Sequence, residues 1–128
     1  MKILGIGVDV VEIARIAASI ERHGERFLAR LFTEEERSYC GSSRFPERFF
    51  AGRFAAKEAI SKALGTGIGA DLGWLEMEVR RLSSGAPWLV LSGAGAATAN
   101  RLGITEVKIS LSHSDNFAVA NAIALGTD

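Results

Sequence analysis

The sequence predicts an α+β fold in one domain spanning residues 1–128, and three observations carry that expectation. Hydrophobic spacing switches irregularly between the twofold period of strands and the 3.6-residue period of helices. The chain has 128 residues, enough for one sizeable core and too few for two. It contains two prolines and no repeat, low-complexity tract or charge block, so no linker divides it.

Residues 3–11 are apolar, β-branched and glycine-containing, which predicts a buried strand with Asp9 near its end. From Glu12 to about Leu31 the spacing is helical. Ile13, Ile16, Ile20, Phe27 and Leu31 share one side, while Arg15, Arg22, Arg26 and Arg30 fall within a sector of about 80° on the other. Gly24 is a point where this helix can divide. Thr33 and Glu36 form a capping-box pair that starts a short helix towards Cys40. Pro46 suits the first turn of a helix over residues 47–64, with Gly65 as its left-handed stop. Phe49, Ala56, Ile60, Ala63 and Leu64 make the core side of that helix; Glu58, Lys62, Ala51 and Phe54 project opposite.

After the loop at 65–69, Leu75, Met77 and Val79 alternate with Glu76, Glu78 and Arg80 as in a strand. Residues 83–87 form a turn and 88–91 a short strand. An Ala-rich helix over 94–102 closes at Gly103. Residues 107–112 alternate as a strand, 113–116 turn, and 117–125 form the last strand.

Fifteen Lys and Arg balance fifteen Asp and Glu, so the net charge of zero argues against a sequence-blind nucleic-acid binder. A single cysteine, Cys40, excludes an intrachain disulfide and fits a reducing compartment. The apolar start is too short for a signal sequence, and no run approaches the roughly 18–20 apolar residues of a membrane span. The expectation is a cytoplasmic domain without membrane or nucleic-acid partners.

Cys40, His23 and His113 are too few for a structural zinc site, so any metal would be a hard ion on carboxylates, such as Mg²⁺. Asp9 interrupts an apolar strand, where it either caps the following helix or serves as a functional carboxylate. Glu58 and Lys62 at i and i+4 read as a solvated ion pair, or, with Phe54 on the same face and a glycine loop one turn on, as the wall of a ligand cleft. The loop Gly65-Thr66-Gly67-Ile68-Gly69 can form an anion nest and is not a Walker A loop. Gly93 and Gly95 open a helix after a strand, a weak dinucleotide signal in which Thr98 replaces the last small residue. His113 sits among serines, either satisfied in a turn or near a phosphate. The four arginines are a solvated face or a landing strip for an acidic partner.

Residues 7–15, GVDVVEIAR, and 50–67, FAGRFAAKEAISKALGTG, resemble the two signature motifs of the holo-acyl-carrier-protein synthases, small bacterial 4′-phosphopantetheinyl transferases. Residues 31–36 and 110–114 fit the same pattern, so the resemblance spans nearly the whole chain. It implies a small antiparallel sheet packed with helices. It further implies an enzyme that transfers 4′-phosphopantetheine from coenzyme A to a serine of apo-acyl carrier protein, in fatty acid biosynthesis, releasing 3′,5′-ADP. Asp9 and Glu58 would bind Mg²⁺ at the coenzyme A pyrophosphate. Lys62, Gly65 and Thr66 would contact the phosphates, with Arg53 and His113 near the 3′-phosphate and adenosine. Arg15, Arg22 and Arg26 would receive the carrier, and the family is commonly a homotrimer with sites between subunits. Glu58 and Lys62 would be catalytic, with the serine proton going to Glu58 or to a metal-bound water. The rival readings are a non-catalytic coenzyme A or nucleotide-binding module, and a dinucleotide oxidoreductase fragment resting on Gly93 and Gly95.

Overall fold

A computed structural model describes residues 1–127. The elements are β1 (Lys2–Glu12), α1 (Ile13–His23), α2 (Glu25–Leu31), α3 (Glu34–Gly41), α4 (Pro46–Leu64), a 3₁₀ turn (Trp74–Glu76), β2 (Met77–Arg81), β3 (Pro87–Leu91), α5 (Gly93–Arg101), β4 (Ile104–His113) and β5 (Phe117–Gly126). β1, β5 and β4 form one antiparallel sheet in that order, and β2 pairs with β3 in a separate hairpin. The expected α+β class and antiparallel sheet are both present.

α4 lies across the inner face of the three-stranded sheet, where β5 and β1 are almost without side-chain bulk and Val107, Ile109 and Leu111 of β4 pack along one edge. Ala118, Ala120, Ala122 and Ala124 of β5 are all buried, and Ala55, Ala56, Ala59 and Ala63 meet them from α4. On β1 even alanine is too large. A Cβ on Gly5 would stand 1.9 Å from the Ala63 carbonyl oxygen, and one on Gly7 2.0 Å from that of Ala59. Helix and strand therefore touch backbone to backbone, which brings the side chains of Asp9 and α4 within reach of each other.

β1 departs from the expected buried strand. Its glycines, Asp9 and Val11 face α4, while Ile6, Val8 and Val10 point outward at 70%, 59% and 60% exposure. The physical reason is that only one face of the sheet is covered within this chain, and strand side chains alternate. Ala51, expected opposite the core side of α4, is fully buried, because α4 packs against the sheet, α1, α3 and β2 at once. Gly24, at φ +55°, divides the long N-terminal helix into α1 and α2. The capping box forms as expected: the Glu36 amide donates to Thr33 Oγ1 at 3.3 Å, and the Thr33 amide to Glu36 Oε1 at 2.9 Å.

Glu36 does more than cap. It and Lys57 are both fully buried, 2.7 Å apart. Lys57 Nζ also donates to the carbonyls of Leu31 (2.6 Å) and Trp74 (3.0 Å), and Glu36 Oε2 accepts from the Val79 amide at 2.8 Å. A buried pair is tolerated only when its remaining donors and acceptors are satisfied, and here they are. The result ties α4 to the end of α2, the start of α3, the 3₁₀ turn and β2.

Candidate active site

Asp9 lies on the inner row of β1, opposite Ala120 of β5, which pairs in turn with Leu111 of β4, and its side chain is 19% exposed. It does not cap α1: the residue at that N-cap is Glu12, which makes no side-chain cap bond. From α4, Lys62 Nζ donates to the Val8 carbonyl at 2.8 Å and to Asp9 Oδ1 at 3.3 Å. The lysine thus pairs across to β1, to a residue 53 positions away. Glu58 stands one turn before it on the same face. Burial and the nearby negative charge of Asp9 raise the proton affinity of Glu58 above the usual carboxylate range, with Lys62 acting in the opposite sense.

Two carboxylates that repel each other beside one lysine leave a local charge of minus one, an arrangement a cation relieves. Among the described residues no group of three or more His, Cys, Asp and Glu side chains is placed to hold a metal. Cys40 is buried, and burial pushes its thiol up to about 11. The available donors are carboxylate oxygens, which fit Mg²⁺: that ion keeps most of its octahedral shell for waters and phosphate oxygens. Asp9 and Glu58 are the residues that would hold it.

The glycine loop corrects one expectation. Gly65 and Gly67 have the positive φ values of 78° and 66° that a nest requires. Their amides, and that of Thr66, nevertheless turn back to the Ser61 carbonyl at 3.1 to 3.3 Å, closing the C-terminus of α4. The loop therefore offers a ligand its small size and the Thr66 hydroxyl, which itself donates to the Gly67 carbonyl. The dinucleotide signal at α5 is answered similarly. Glu76 Oε2 accepts from the Ala94 amide at 2.7 Å, and a Cβ on Gly93 would lie 2.6 Å from that oxygen. The helix start is filled by the chain's own carboxylate, which leaves no place for a pyrophosphate.

Arg53 and His113 sit apart from Asp9. Arg53 is five residues before Glu58, about 140° round the helix, and only 3% exposed. Its guanidinium lies over the Tyr39 ring at 4.7 Å, and its buried Nε has no hydrogen-bond partner. Tyr39 meets Phe49 edge-on at 6.0 Å, and Phe49 meets His113 at 5.9 Å. The two residues expected at one ligand end are thus joined through two aromatic rings. Beside them opens a cavity of about 440 Å³, lined by Tyr39, Arg53, Arg81, Ser83 and Gly85 among others.

Sequence reasoning missed Lys57, Tyr39 and Arg81. Lys57 had a signal, since it falls on the apolar stripe of Phe50, Ile60 and Leu64. Arg81 had one too, because it continues the buried row of Met77 and Val79 along β2. The break at Gly24 separates the arginines. Arg15 and Arg22 stay on α1, while Arg26 and Arg30 join His23 round a cleft of about 840 Å³ with Phe27, Leu31 and Trp74. Trp74 stacks on Phe54 at 5.2 Å, on the face of α4 that carries Glu58.

Residues 5–122 match the model of the 4′-phosphopantetheinyl transferase superfamily. A holo-[acyl-carrier-protein] synthase of Chlamydia pneumoniae is 47% identical over 98% of this chain and 99% of its own length. That of Koribacter versatilis is 46% identical over 94% of this chain and 97% of its own. Among solved structures, the holo-[acyl-carrier-protein] synthase of Neisseria meningitidis superposes with a TM-score of 0.91 at 31% identity, covering 97% of this chain and 99% of that one. The Helicobacter pylori enzyme in complex with coenzyme A gives 0.84 at 34% identity, covering 94% and 99%.

Proposed function

We infer the reaction from one premise: the chain belongs to the 4′-phosphopantetheinyl transferase superfamily and, within it, to the holo-[acyl-carrier-protein] synthases. It is a phosphopantetheinyl transferase. The donor is coenzyme A, as in the complex of the Helicobacter pylori relative, and the acceptor is a serine of apo-acyl carrier protein. The serine hydroxyl attacks the β-phosphorus of the donor, forming a new P–O bond. The bond from that phosphorus to the bridging oxygen breaks, and 3′,5′-ADP leaves with the bridging oxygen.

Such a transfer depends mainly on positioning and on stabilising charge at the phosphates. Asp9 and Glu58 would hold Mg²⁺, which when bound neutralises the pyrophosphate and favours departure of the nucleotide. Lys62 has its ammonium group at the mouth of this pair and stabilises charge gathering on the leaving phosphate. The serine proton goes to Glu58, through an oxygen it does not give to the ion, or to a water beside it. Gly65 and Thr66 let the phosphates approach the end of α4. Arg53 and His113 hold the adenosine and 3′-phosphate end. Exposed Arg15, Arg22 and Arg26 receive the acidic carrier by charge complementarity.

A homotrimer with its sites between subunits is part of this reading. The apolar outer face of the sheet supports it, as does the wide angle round α4 between Arg53 and Glu58. Among the described residues no helix is long and apolar enough to cross a membrane, and we place the enzyme in the cytoplasm. The observation that carries the function is the meeting of Asp9, Glu58 and Lys62 across the close β1–α4 contact. The test is intact mass spectrometry of an apo carrier after incubation with the protein, coenzyme A and Mg²⁺. The expected result is a mass gain of one phosphopantetheine; an unchanged carrier with every divalent metal tried excludes the transferase.

A further inference from the structure

Resting on the transferase reading above, we propose that Lys62 gates the carboxylate pair: while it holds Asp9 it keeps divalent ions off the free protein, and the donor's pyrophosphate draws it away, so that ion and donor bind as a coupled pair. A lysine one turn after a glutamate on a helix ordinarily pairs with it. Lys62 does not pair with Glu58 in this way. Among the described residues its ion pair is with Asp9, 3.3 Å away on β1, and its shorter bond, 2.8 Å, goes to the Val8 carbonyl. The base of its stem is pressed against the strand, since a Cβ on Gly7 would lie 2.9 Å from the Lys62 Cβ. The ammonium end, by contrast, belongs to a half-exposed side chain with several rotatable bonds, so it can turn without moving α4 or β1.

Held inward, the lysine cancels the charge of one of the carboxylates that would hold the ion and engages Asp9 Oδ1 in a hydrogen bond. Asp9 is mostly covered by its surroundings, so little of its carboxylate is left for an incoming ion. A dication must then bind beside an ammonium group, which repels it, or displace that group. The donor changes this balance. Its phosphates are ionised near neutral pH and form stronger, charge-assisted bonds with lysine than the Val8 carbonyl does. Once Lys62 turns to a phosphate it gives up Asp9, and both carboxylates stand uncompensated where the ion binds. Coupling between two ligands is reciprocal, so the ion strengthens donor binding by the same factor. The lysine that steadies the leaving phosphate is thereby also the group that makes ion binding wait for the donor.

The test is a titration of the intact protein with Mn²⁺, read by electron paramagnetic resonance, with and without saturating coenzyme A, for wild type, K62M and K62Q. In wild type, coenzyme A is expected to tighten Mn²⁺ binding by about tenfold or more. Without coenzyme A, both variants should bind Mn²⁺ about tenfold tighter than wild type. With coenzyme A they should stay within about threefold of wild type, so that the coupling between ion and donor shrinks. An equal gain with and without coenzyme A would show that Lys62 is only a nearby charge. No gain in the free protein would show that it never competes with the ion. Either result overturns the proposal. So does a wild type whose Mn²⁺ affinity ignores coenzyme A while the carrier still gains phosphopantetheine, an outcome that leaves the function intact. A protein that neither binds coenzyme A nor modifies the carrier overturns both readings. K62Q keeps an N–H donor for the Val8 carbonyl without the charge, so it decides the matter even where K62M disturbs the strand contact.

Discussion

Glu58 holds its charge against its surroundings, and this gives a prediction whose sign separates chemistry from folding. Burial and Asp9 raise its folded-state pKa above the unfolded value. For an acid shifted in that sense, the contribution to stability is present below the unfolded pKa and lost as pH rises through the folded one. Glu58→Gln imitates the protonated form at every pH. In metal-free buffer at neutral pH its melting temperature should therefore exceed that of wild type, with the advantage vanishing below the unfolded pKa. Turnover should fall by about a hundredfold or more, as expected for a lost acid–base or metal-holding group. Calorimetry across pH, beside the mass assay, checks both halves. A destabilised Glu58→Gln would mean that Glu58 is a structural residue. Asp9 was legible in the sequence because it interrupts an apolar strand, and Glu58 and Lys62 because they share a helix face with Phe54 just before a glycine loop. Arg53 and His113 were named from a motif, but their separation from Asp9 was not legible, since it depends on the angle round a folded helix.

The contact between β1 and α4 is the element on which the site depends. Helix and strand approach closely enough for Lys62 to reach the Val8 carbonyl only because Gly5 and Gly7 carry no side chain. Gly7→Ala should push β1 away from Ala59 and cost about 3 kcal/mol or more, at the upper end for overpacked cores. Because Asp9 is two residues along the same strand, surviving folded protein should also lose affinity for Mn²⁺ used as a Mg²⁺ probe. Urea unfolding measures the first effect and electron paramagnetic resonance titration the second. A neutral Gly7→Ala would show that strand and helix are free to separate. The sequence revealed both elements through periodicity. It did not reveal their contact distance, because the glycines in residues 3–11 read equally well as ordinary strand residues. The Lys57–Glu36 tie escaped for a similar reason: each residue had a sufficient local explanation, one on a charged helix and one in a capping box.

At the scale of the whole molecule, the apolar sheet face sets the last expectation. Ile6, Val8 and Val10 on β1 continue into Val119 and Ile123 on β5, with Asn121 between them. A lone soluble chain has no use for such a surface, and a hydrophobic face left open favours association. The sequence reading of residues 3–11 as a buried strand thus describes the strand within the proposed trimer better than within one chain. The proposed assembly would also answer the division of the site. The Arg53 pocket and the Asp9–Glu58 pair lie on different sides of α4, and a second copy can set one subunit's pocket beside another's carboxylates. Ile6→Glu places a charge at the most exposed of these positions without touching α4. It should yield a folded monomer by light scattering, with unchanged far-ultraviolet circular dichroism. Transfer should fall by at least about a hundredfold, since in the proposed trimer a donor held between subunits would lose the contacts of one of them. A monomer that retains full turnover would show that one chain holds a complete site, and a trimer that survives the substitution would place the interface elsewhere.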